Sequence, residues 1–375
     1  MTAQARTTPS TWFQRFLLPG FAFKAVVIGG GYATGRELAE FFMPAGPWGG
    51  IAAIMLAMAI WSVVCAITFA FARSREAYDY RTFFERLLGP GWVIFEIAYL
   101  LFVVLILAVF GAAAGAIGAA VFGLSPMTGS VVLAVAIAAV AAFGNTSVER
   151  LFKYVSVLLY GVYALFVVLA LGKFGPQISE KLALIVPSKG WGAGGLTYAS
   201  YNVVGAVTIL PVLRHLTSRR DAIVSGLIAG PLAMLPALLF FICMIAFYPG
   251  IAGETLPSDF MLRRLDIPAF HILFQLMIFA ALLESGTGSV HAINERIAGA
   301  WRAKRDADLS RVARGSIASL LLVGCIFVAD RFGLVALIGS GYRWLAYTIL
   351  AVYIGPLMTV GLFRLVRNRR IDRQA

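Results

Sequence analysis

The chain is a series of long apolar stretches separated by short clusters of charged, proline and glycine residues. A helix of roughly 20 apolar residues crosses the hydrocarbon core of a bilayer. Lipid offers no hydrogen-bond partners, so each such stretch must satisfy its own backbone as a helix. The pattern therefore predicts an all-α integral membrane protein with about ten spans, at residues 18–43, 47–72, 91–122, 127–144, 150–172, 196–214, 221–248, 268–298, 312–329 and 344–366.

Composition and charge support this interpretation. Of 375 residues, 60% are hydrophobic and 13% charged, whereas a soluble domain carries about 25% charged residues. The net charge of +13 could suggest a nucleic-acid partner, but 23 of the 31 lysines and arginines lie at the N-terminus or after even-numbered spans. Positive charge concentrated on one side of the membrane marks the cytoplasmic side. We therefore expect both termini in the cytoplasm, contact with the lipid bilayer and no nucleic-acid partner.

The first span contains an unusual concentration of glycine. Gly29, Gly30 and Gly31 are consecutive, and Gly35 follows; each costs about 1 kcal/mol of helix propensity relative to alanine. They fall near the middle of the membrane, where a weak helix is a liability unless its freed backbone groups line a cavity or meet a ligand. Close helix packing is the alternative explanation for glycine, but three adjacent glycines exceed what packing requires.

The sixth span is the second exception. Tyr201, Asn202 and Gly205 cluster near its middle, and polar side chains in hydrocarbon usually face a bundle interior or a cavity, although they can also simply bond to neighbouring helices. The first and sixth spans begin two groups of five that run in opposite directions. Two corresponding breaks predict an inverted repeat, residues 18–172 and 196–366, with a binding site at the membrane midplane. Residues 1–375 then form a single membrane domain.

One stretch of the first span resembles a known family. Gly-Tyr-Ala-Thr-Gly-Arg-Glu-Leu-Ala-Glu-Phe-Phe (residues 31–42), with Tyr201, Asn202 and residues 332–342, is similar to the YkvI-like family of bacterial membrane proteins. That family looks like a branch of the amino acid/polyamine/organocation superfamily. The resemblance implies a LeuT-type 5+5 fold and a location in the bacterial cell (inner) membrane.

These observations define candidate sites in the first and sixth spans. A substrate site is predicted from backbone and side-chain groups at the two breaks. Arg36 and Glu40 share a helix face and could pair, so together with Glu37 they form a candidate outer gate, or else anchor the span at the interface. The predicted substrate-binding residues are Gly29, Gly30, Gly31, Tyr32, Thr34, Gly35, Tyr201, Asn202 and Gly205.

The eighth span offers groups for ion coupling. Glu284 lies among apolar residues, where burial favours the neutral carboxyl and allows it to carry a proton. Thr287 and Ser289 could instead offer hydroxyls to Na⁺, and the resemblance implies a sodium site between spans one and eight. A structural, hydrogen-bonded role for Glu284 is the third alternative.

The function predicted from these features is a cation-coupled (H⁺ or Na⁺) secondary transporter of a small, amino-acid-like organic solute, working by alternating access. No enzyme is predicted, because the sequence carries no catalytic motif; the absence of a phosphate-binding loop leaves an ion gradient as the expected energy source. Apart from a bound Na⁺ no cofactor is expected, and the partners are lipid, solute and coupling ion. A non-transporting sensor, channel or assembly subunit is the alternative, and the pattern leaves the oligomeric state open.

Overall fold

The computed structural model of the protein describes residues 10–142, 145–305 and 310–371. Short 3₁₀ segments at Met43–Ala45, Gly89–Gly91, Leu210–His215 and Gly250–Gly253, and π-helical turns at Leu337–Gly341, Leu350–Ile354 and Leu357–Gly361, extend or join the helices. The α-helices are α1 (Trp12–Phe16), α2 (Leu18–Val27), α3 (Gly30–Ala33), α4 (Arg36–Phe41), α5 (Gly46–Arg75), α6 (Tyr80–Leu88), α7 (Trp92–Phe122), α8 (Pro126–Ala142), α9 (Asn145–Leu182), α10 (Trp191–Asn202), α11 (Gly205–Thr208), α12 (Arg219–Ile245), α13 (Pro257–Leu265), α14 (Pro268–Arg305), α15 (Arg311–Ala336), α16 (Tyr342–Ile349) and α17 (Leu362–Ile371).

The helices follow the predicted spans in order along the chain. Within the described ranges, six stretches are long and apolar enough to cross a membrane by length and composition: Arg36–Arg75, Tyr80–Phe122, Leu158–Leu182, Arg219–Ile245, Pro268–Ala298 and Val312–Arg367. The first and last of these each join parts of two predicted spans, and Leu18–Val27 and Pro126–Val140 add shorter apolar helices. Large apolar side chains such as Leu320 and Phe327 are 77% and 71% exposed, as expected where lipid is the solvent. The prediction of a multi-pass helical membrane protein is confirmed.

The two broken spans belong to one packed group, together with α5 and α12. Glycines allow α12 to approach α5 closely: a Cβ at Gly226 would overlap the backbone of Cys65 and Ala66. The sixth span is fixed to the same neighbour, because the Trp61 indole donates a hydrogen bond of 2.9 Å to the Ala199 carbonyl. Gly226 thus acts as small residues commonly do between membrane helices, by allowing the backbones of α12 and α5 to approach closely.

A second group consists of α7, α8, α14 and α15. Ser130 of α8 donates a 2.8 Å hydrogen bond to the Gly111 carbonyl of α7, and a Cβ at Gly115 would overlap the Pro126 carbonyl. Gly286 of α14 faces Ile137 of α8 in the same way. The candidate site lies on the first group, and α14 carries the candidate ion-coupling residues on the second.

Contacts between loops show which helix ends lie at the same face of the helix bundle. The two faces are called inner and outer, following the orientation predicted from the charge pattern. At the inner face, Arg15 pairs with Asp221 at 2.8 Å and Arg73 donates to the Thr217 carbonyl at 3.1 Å. At the outer face, Trp48 donates to the Leu182 carbonyl at 2.9 Å. These pairs join the loops that the charge pattern assigned to the same side; which face is cytoplasmic stays a prediction.

The tenth span begins earlier than predicted. The sequence placed it at residues 344–366, but the helix is interrupted at Gly333 alone and resumes immediately afterwards. Gly333 has φ +71° and ψ 167°, a conformation available to glycine at little cost, so a single residue separates the two helices. Arg331 and Arg343, which lie on either side of this kink in the sequence, suggested a longer loop between the ninth and tenth spans.

Candidate functional site

The first span is interrupted twice. Helix α2 ends at Val27, and Ile28 leaves the helical region with φ −73° and ψ 83°. The single turn α3 begins at Gly30. A second interruption follows at Gly35, which has φ +77° and directly precedes α4. Glycine is required at Gly35 because other side chains rarely adopt this φ. The first interruption lies directly before the predicted glycine-rich segment and the second lies within it.

The sixth span changes more gently. Helix α10 ends at Asn202, the single turn α11 follows, and a 3₁₀ turn carries the chain to His215. Val203 and Val204 keep nearly helical angles, φ −65° and −53°. Gly205 packs on the first span, since an added Cβ would lie 3.2 Å from the Phe23 ring. In this span the chain therefore passes from α-helix to the tighter 3₁₀-helix and does not become extended.

A glutamate joins the two interruptions. The Tyr201 hydroxyl donates a 2.8 Å hydrogen bond to Oε2 of Glu37, and the Asn202 side chain lies beside the same carboxylate. Glu37 folds back onto the first break, because a Cβ at Gly31 would lie 2.8 Å from its Cδ. The structure therefore brings together Gly31, Tyr201 and Asn202, and it adds Glu37, which the sequence grouped with the gate.

Aromatic rings surround this contact. The Tyr201 ring centroid is 4.5 Å from that of Tyr342 on α16, 5.7 Å from Tyr198 and 5.8 Å from Phe41. All three tyrosines are at most 2% exposed. Tyr342 ends the segment 332–342 noted in the sequence, but its place against the sixth span comes from tertiary packing and has no local signal.

Two other predicted residues support the break. The Tyr32 hydroxyl donates to the Ala233 carbonyl of α12 at 3.3 Å. Thr34 donates to the Gly31 carbonyl at 3.1 Å, and its oxygen accepts the Arg36 amide at 3.4 Å. These hydroxyls satisfy backbone groups that the interruption frees. Gly29 faces the Phe110 ring of α7, 3.2 Å from an added Cβ.

The outer end of the site is covered by a network centred on Arg36. Its guanidinium donates to the carbonyls of Ala252 and Glu254 at 2.9 and 2.8 Å and pairs with Glu40 at 2.7 Å. Glu40 also lies 3.9 Å from Arg343 of α16. The expected Arg36–Glu40 pair is present, and it ties the first span to the loop before α13 and to the tenth span.

The inner end has a cavity of about 580 Å³ that reaches Thr208 on α11. Arg296 stands in its wall between two rings, 3.8 Å from the centroids of both Tyr80 and Tyr99, and 3.5 Å from Glu96. The sequence did not single out this group, because its members come from three separate segments.

A second inner contact fixes the start of the first span. Arg15 of α1 binds Asp221 through two hydrogen bonds of 2.8 and 2.9 Å. These bonds raise the pKa of the Arg15 guanidinium above its usual value. Asp221 also accepts from Thr217 and Ser218, so the helix that precedes α2 is tied to the loop before α12.

The candidate ion-coupling residues lie on α14 next to the first span. Glu284 lines a cavity of about 20 Å³ with Ala25, Ile28 and Tyr160, large enough for one water-sized species. Thr287 is fully buried, and its hydroxyl has no hydrogen-bond partner among the described residues. Ser289 donates to the Ser285 carbonyl of its own helix at 2.9 Å. In the described part of the chain, no three His, Cys, Asp or Glu residues come together as a metal-ligating group.

Comparison with known proteins places this geometry in context. No protein-family profile matches the chain. It is similar to YkvI of Bacillus subtilis, described as an uncharacterized membrane protein, with 22% identity over 349 residues that cover 90% of this chain and 94% of that one. This bears out the resemblance drawn from the sequence.

Solved structures are similar over nearly the whole chain. A Na⁺-coupled sialic acid symporter in a substrate-bound outward-open state has a TM-score of 0.60 at 14% identity, covering 93% of this chain and 82% of that one. MhsT in complex with L-phenylalanine has a TM-score of 0.54 at 16% identity, covering 96% and 98%. The manganese transporter of Eremococcus coleocola has a TM-score of 0.57 at 15% identity, covering 95% and 81%. The chain has the LeuT-type fold. The predicted 5+5 architecture with broken first and sixth spans is thereby confirmed.

Proposed function

We propose that this protein is a cation-coupled secondary transporter that moves a small organic solute across the bacterial cell membrane by alternating access. The observation that carries the proposal is the hydrogen bond between Glu37 and Tyr201, which places polar groups of both interrupted spans at one point. Polar groups inside a membrane protein are costly and mark substrate or ion pathways. The similar structures named above are transporters, which supports the same class.

The two ends of the site fit alternating access. At the outer end, Arg36 and Glu40 tie the first span to its neighbours, while at the inner end a cavity of about 580 Å³ reaches the sixth span. Release of the outer network and closure around Arg296 would expose the site to the other side. The network of Arg36 is therefore assigned to the outer gate.

The coupling ion is proposed to bind between the first and eighth spans. The cavity beside Glu284 and Ile28 has room for one small cation. Three residues further along the same helix, the Thr287 hydroxyl has no hydrogen-bond partner among the described residues, and we propose it as a further oxygen ligand. Oxygen ligands suit a hard cation such as Na⁺, and a buried carboxyl suits a proton. An ion gradient then drives transport.

Counterflow in proteoliposomes tests the proposal. A thermal-shift screen of the purified protein against amines, amino acids and nucleobases, with and without Na⁺ and across pH, first identifies a solute that stabilises the folded state. Vesicles loaded with that solute should then accumulate its labelled form at least several-fold, and an imposed Na⁺ or proton gradient should increase the initial rate. If the proton gradient does so, Glu284→Gln should remove that increase.

Binding without counterflow would contradict transport and favour the sensor alternative. A flux that ignores every imposed gradient would favour a channel. Glu180→Gln, at an exposed outer-face glutamate with a 68% exposed side chain, is the matched control for Glu284→Gln.

A further inference from the structure

Glu37 is a buried acid among neutral groups. The residue is 4% exposed, and its carboxylate contacts the Tyr201 hydroxyl and the Asn202 side chain. In the described part of the chain, no lysine, arginine or histidine forms an ion pair with it. The adjacent Arg36 points to the outer network instead.

The other charged groups near α4 lie at its outer end. Arg36, Glu40 and Arg343 form the gate network, and the loop against which α4 packs contributes the Glu254 carbonyl to Arg36. The titratable groups of the surrounding helices that interact electrostatically with Glu37 are phenols, which are neutral at ordinary pH: Tyr32, Tyr198, Tyr201 and Tyr342.

A carboxylate in such surroundings must be neutralised. Transfer of a lone charge out of water costs several kcal/mol or more, so a buried acid binds a proton or pairs with a cation. The hydrogen bond from the Tyr201 phenol, with the Asn202 side chain nearby, stabilises the anion without cancelling its charge. Because the described residues provide no cation, the neutralising group must come from solution.

The surroundings favour an ammonium group as that cation. The negative faces of tyrosine rings attract cations. The ring of Tyr201, whose hydroxyl donates to Glu37, has its centroid 4.5 Å from that of Tyr342. A solute carboxylate would place a second negative charge beside Glu37 in a medium where like charges repel strongly. The site is therefore unfavourable for an anionic solute.

We infer that Glu37 binds the ammonium group of a cationic amine solute, and that one proton leaves the Glu37 carboxyl group as this amine enters. The inference rests on the proposed function and names its substrate class. In the exchange, the carboxyl O–H bond breaks and the proton passes to water. The amine keeps all its N–H bonds and forms an ion pair. The site therefore gains no net charge, and proton and amine exclude one another.

Matched solutes test this directly on the full-length protein in detergent. Each set presents one side chain as an amine, an α-amino acid and a carboxylate that lacks the amino group: phenethylamine, phenylalanine and 3-phenylpropionate; isopentylamine, leucine and 4-methylpentanoate. At least one amine should raise the melting temperature at concentrations where its α-amino acid and the anionic carboxylate do not. Its affinity should fall by up to tenfold per pH unit as the pH is lowered. In weakly buffered solution, binding should release up to one proton per protein.

The variants connect these effects to Glu37. Glu37→Gln keeps the shape of the side chain and the hydrogen bond from Tyr201, and it should weaken amine binding by about 30-fold or more and abolish proton release. Glu37→Asp should restore part of both. Glu180→Gln should match the unmodified protein, and the melting temperature of each variant without solute shows whether it is folded.

The outcomes separate this inference from the proposed function. Stabilisation by amino acids or carboxylates in preference to amines, by Na⁺ or Mn²⁺ alone, or by none of the probes overturns the assignment to an amine. Amine binding that Glu37→Gln leaves intact overturns the role of Glu37. If an amine binds through Glu37 but shows no counterflow, the inference holds and transport fails; if an amino acid shows counterflow, transport holds and the inference fails.

Discussion

The two interrupted spans serve the same site in different ways. In the first span, Ile28 and Gly35 leave helical geometry, and the glutamate folds back against Gly31. In the sixth span the backbone stays nearly helical through Val203 and Val204. The first span thus supplies irregular backbone and a charge, whereas the sixth supplies a hydroxyl and an amide from a regular helix end. Inverted topology therefore does not require two equal breaks.

Substitution of Gly31 should have the largest effect on this comparison. In Gly31→Leu the new side chain would occupy the position of the Glu37 carboxylate, so the contact with Tyr201 cannot form. We expect loss of measurable solute binding in a thermal-shift or equilibrium assay, with membrane insertion retained. Gly172→Leu is the control, because nothing lies within 4 Å of its added Cβ on α9. Normal binding by Gly31→Leu would show that the site lies elsewhere.

Features of the site that have a local cause in the sequence could be predicted, and the first break is one of them. Three adjacent glycines and Gly35 weaken the helix locally, so the first break could be predicted from them. Arg36 and Glu40 are four residues apart, and their pairing also follows from helix geometry. The ten spans follow from hydropathy.

Other parts of the site have no local signal. Glu37 directly follows Arg36, yet its side chain contacts the sixth span whereas that of Arg36 contacts the outer loop. The direction of Glu37 depends on the left-handed backbone at Gly35. Tyr342 and Arg343 reach the site from the tenth span. The sequence placed the start of that span beyond them, because the single-residue kink at Gly333 was not foreseen. Arg296 is sandwiched by rings from α6 and α7. Contacts between distant segments are set by packing, which hydropathy does not record.

Removal of the Tyr201 hydroxyl should have an intermediate effect. Tyr201→Phe keeps the ring against Tyr342 but deletes the donor to Glu37. A hydrogen bond to a charged group contributes about 1.5–3 kcal/mol, so solute affinity should fall by roughly 10- to 100-fold. Isothermal titration with the solute identified by thermal shift measures this change.

Tyr163→Phe is the matched control for that variant. Its hydroxyl is buried on α9 without a partner among the described residues, so its loss should leave affinity unchanged and stability equal or slightly higher. Equal affinity losses in the two variants would mean that the Tyr201 hydroxyl has no specific role, and the hydrogen bond would no longer support the site.

A methyl group at Gly205 should have the smallest effect. Its effect tests whether the sixth span is helical or unwound at this position. In Gly205→Ala the added Cβ lies 3.2 Å from the Phe23 ring, so the ring must shift by a few tenths of an ångström. The better helix propensity of alanine, about 1 kcal/mol, offsets this crowding, because the sixth span remains nearly helical here. We expect thermal stability within about 1 kcal/mol of the unmodified protein and solute affinity within about threefold. If Gly205→Ala instead abolishes binding while the protein stays folded, the backbone of the sixth span takes part in the site as directly as that of the first, and the two breaks are equivalent after all.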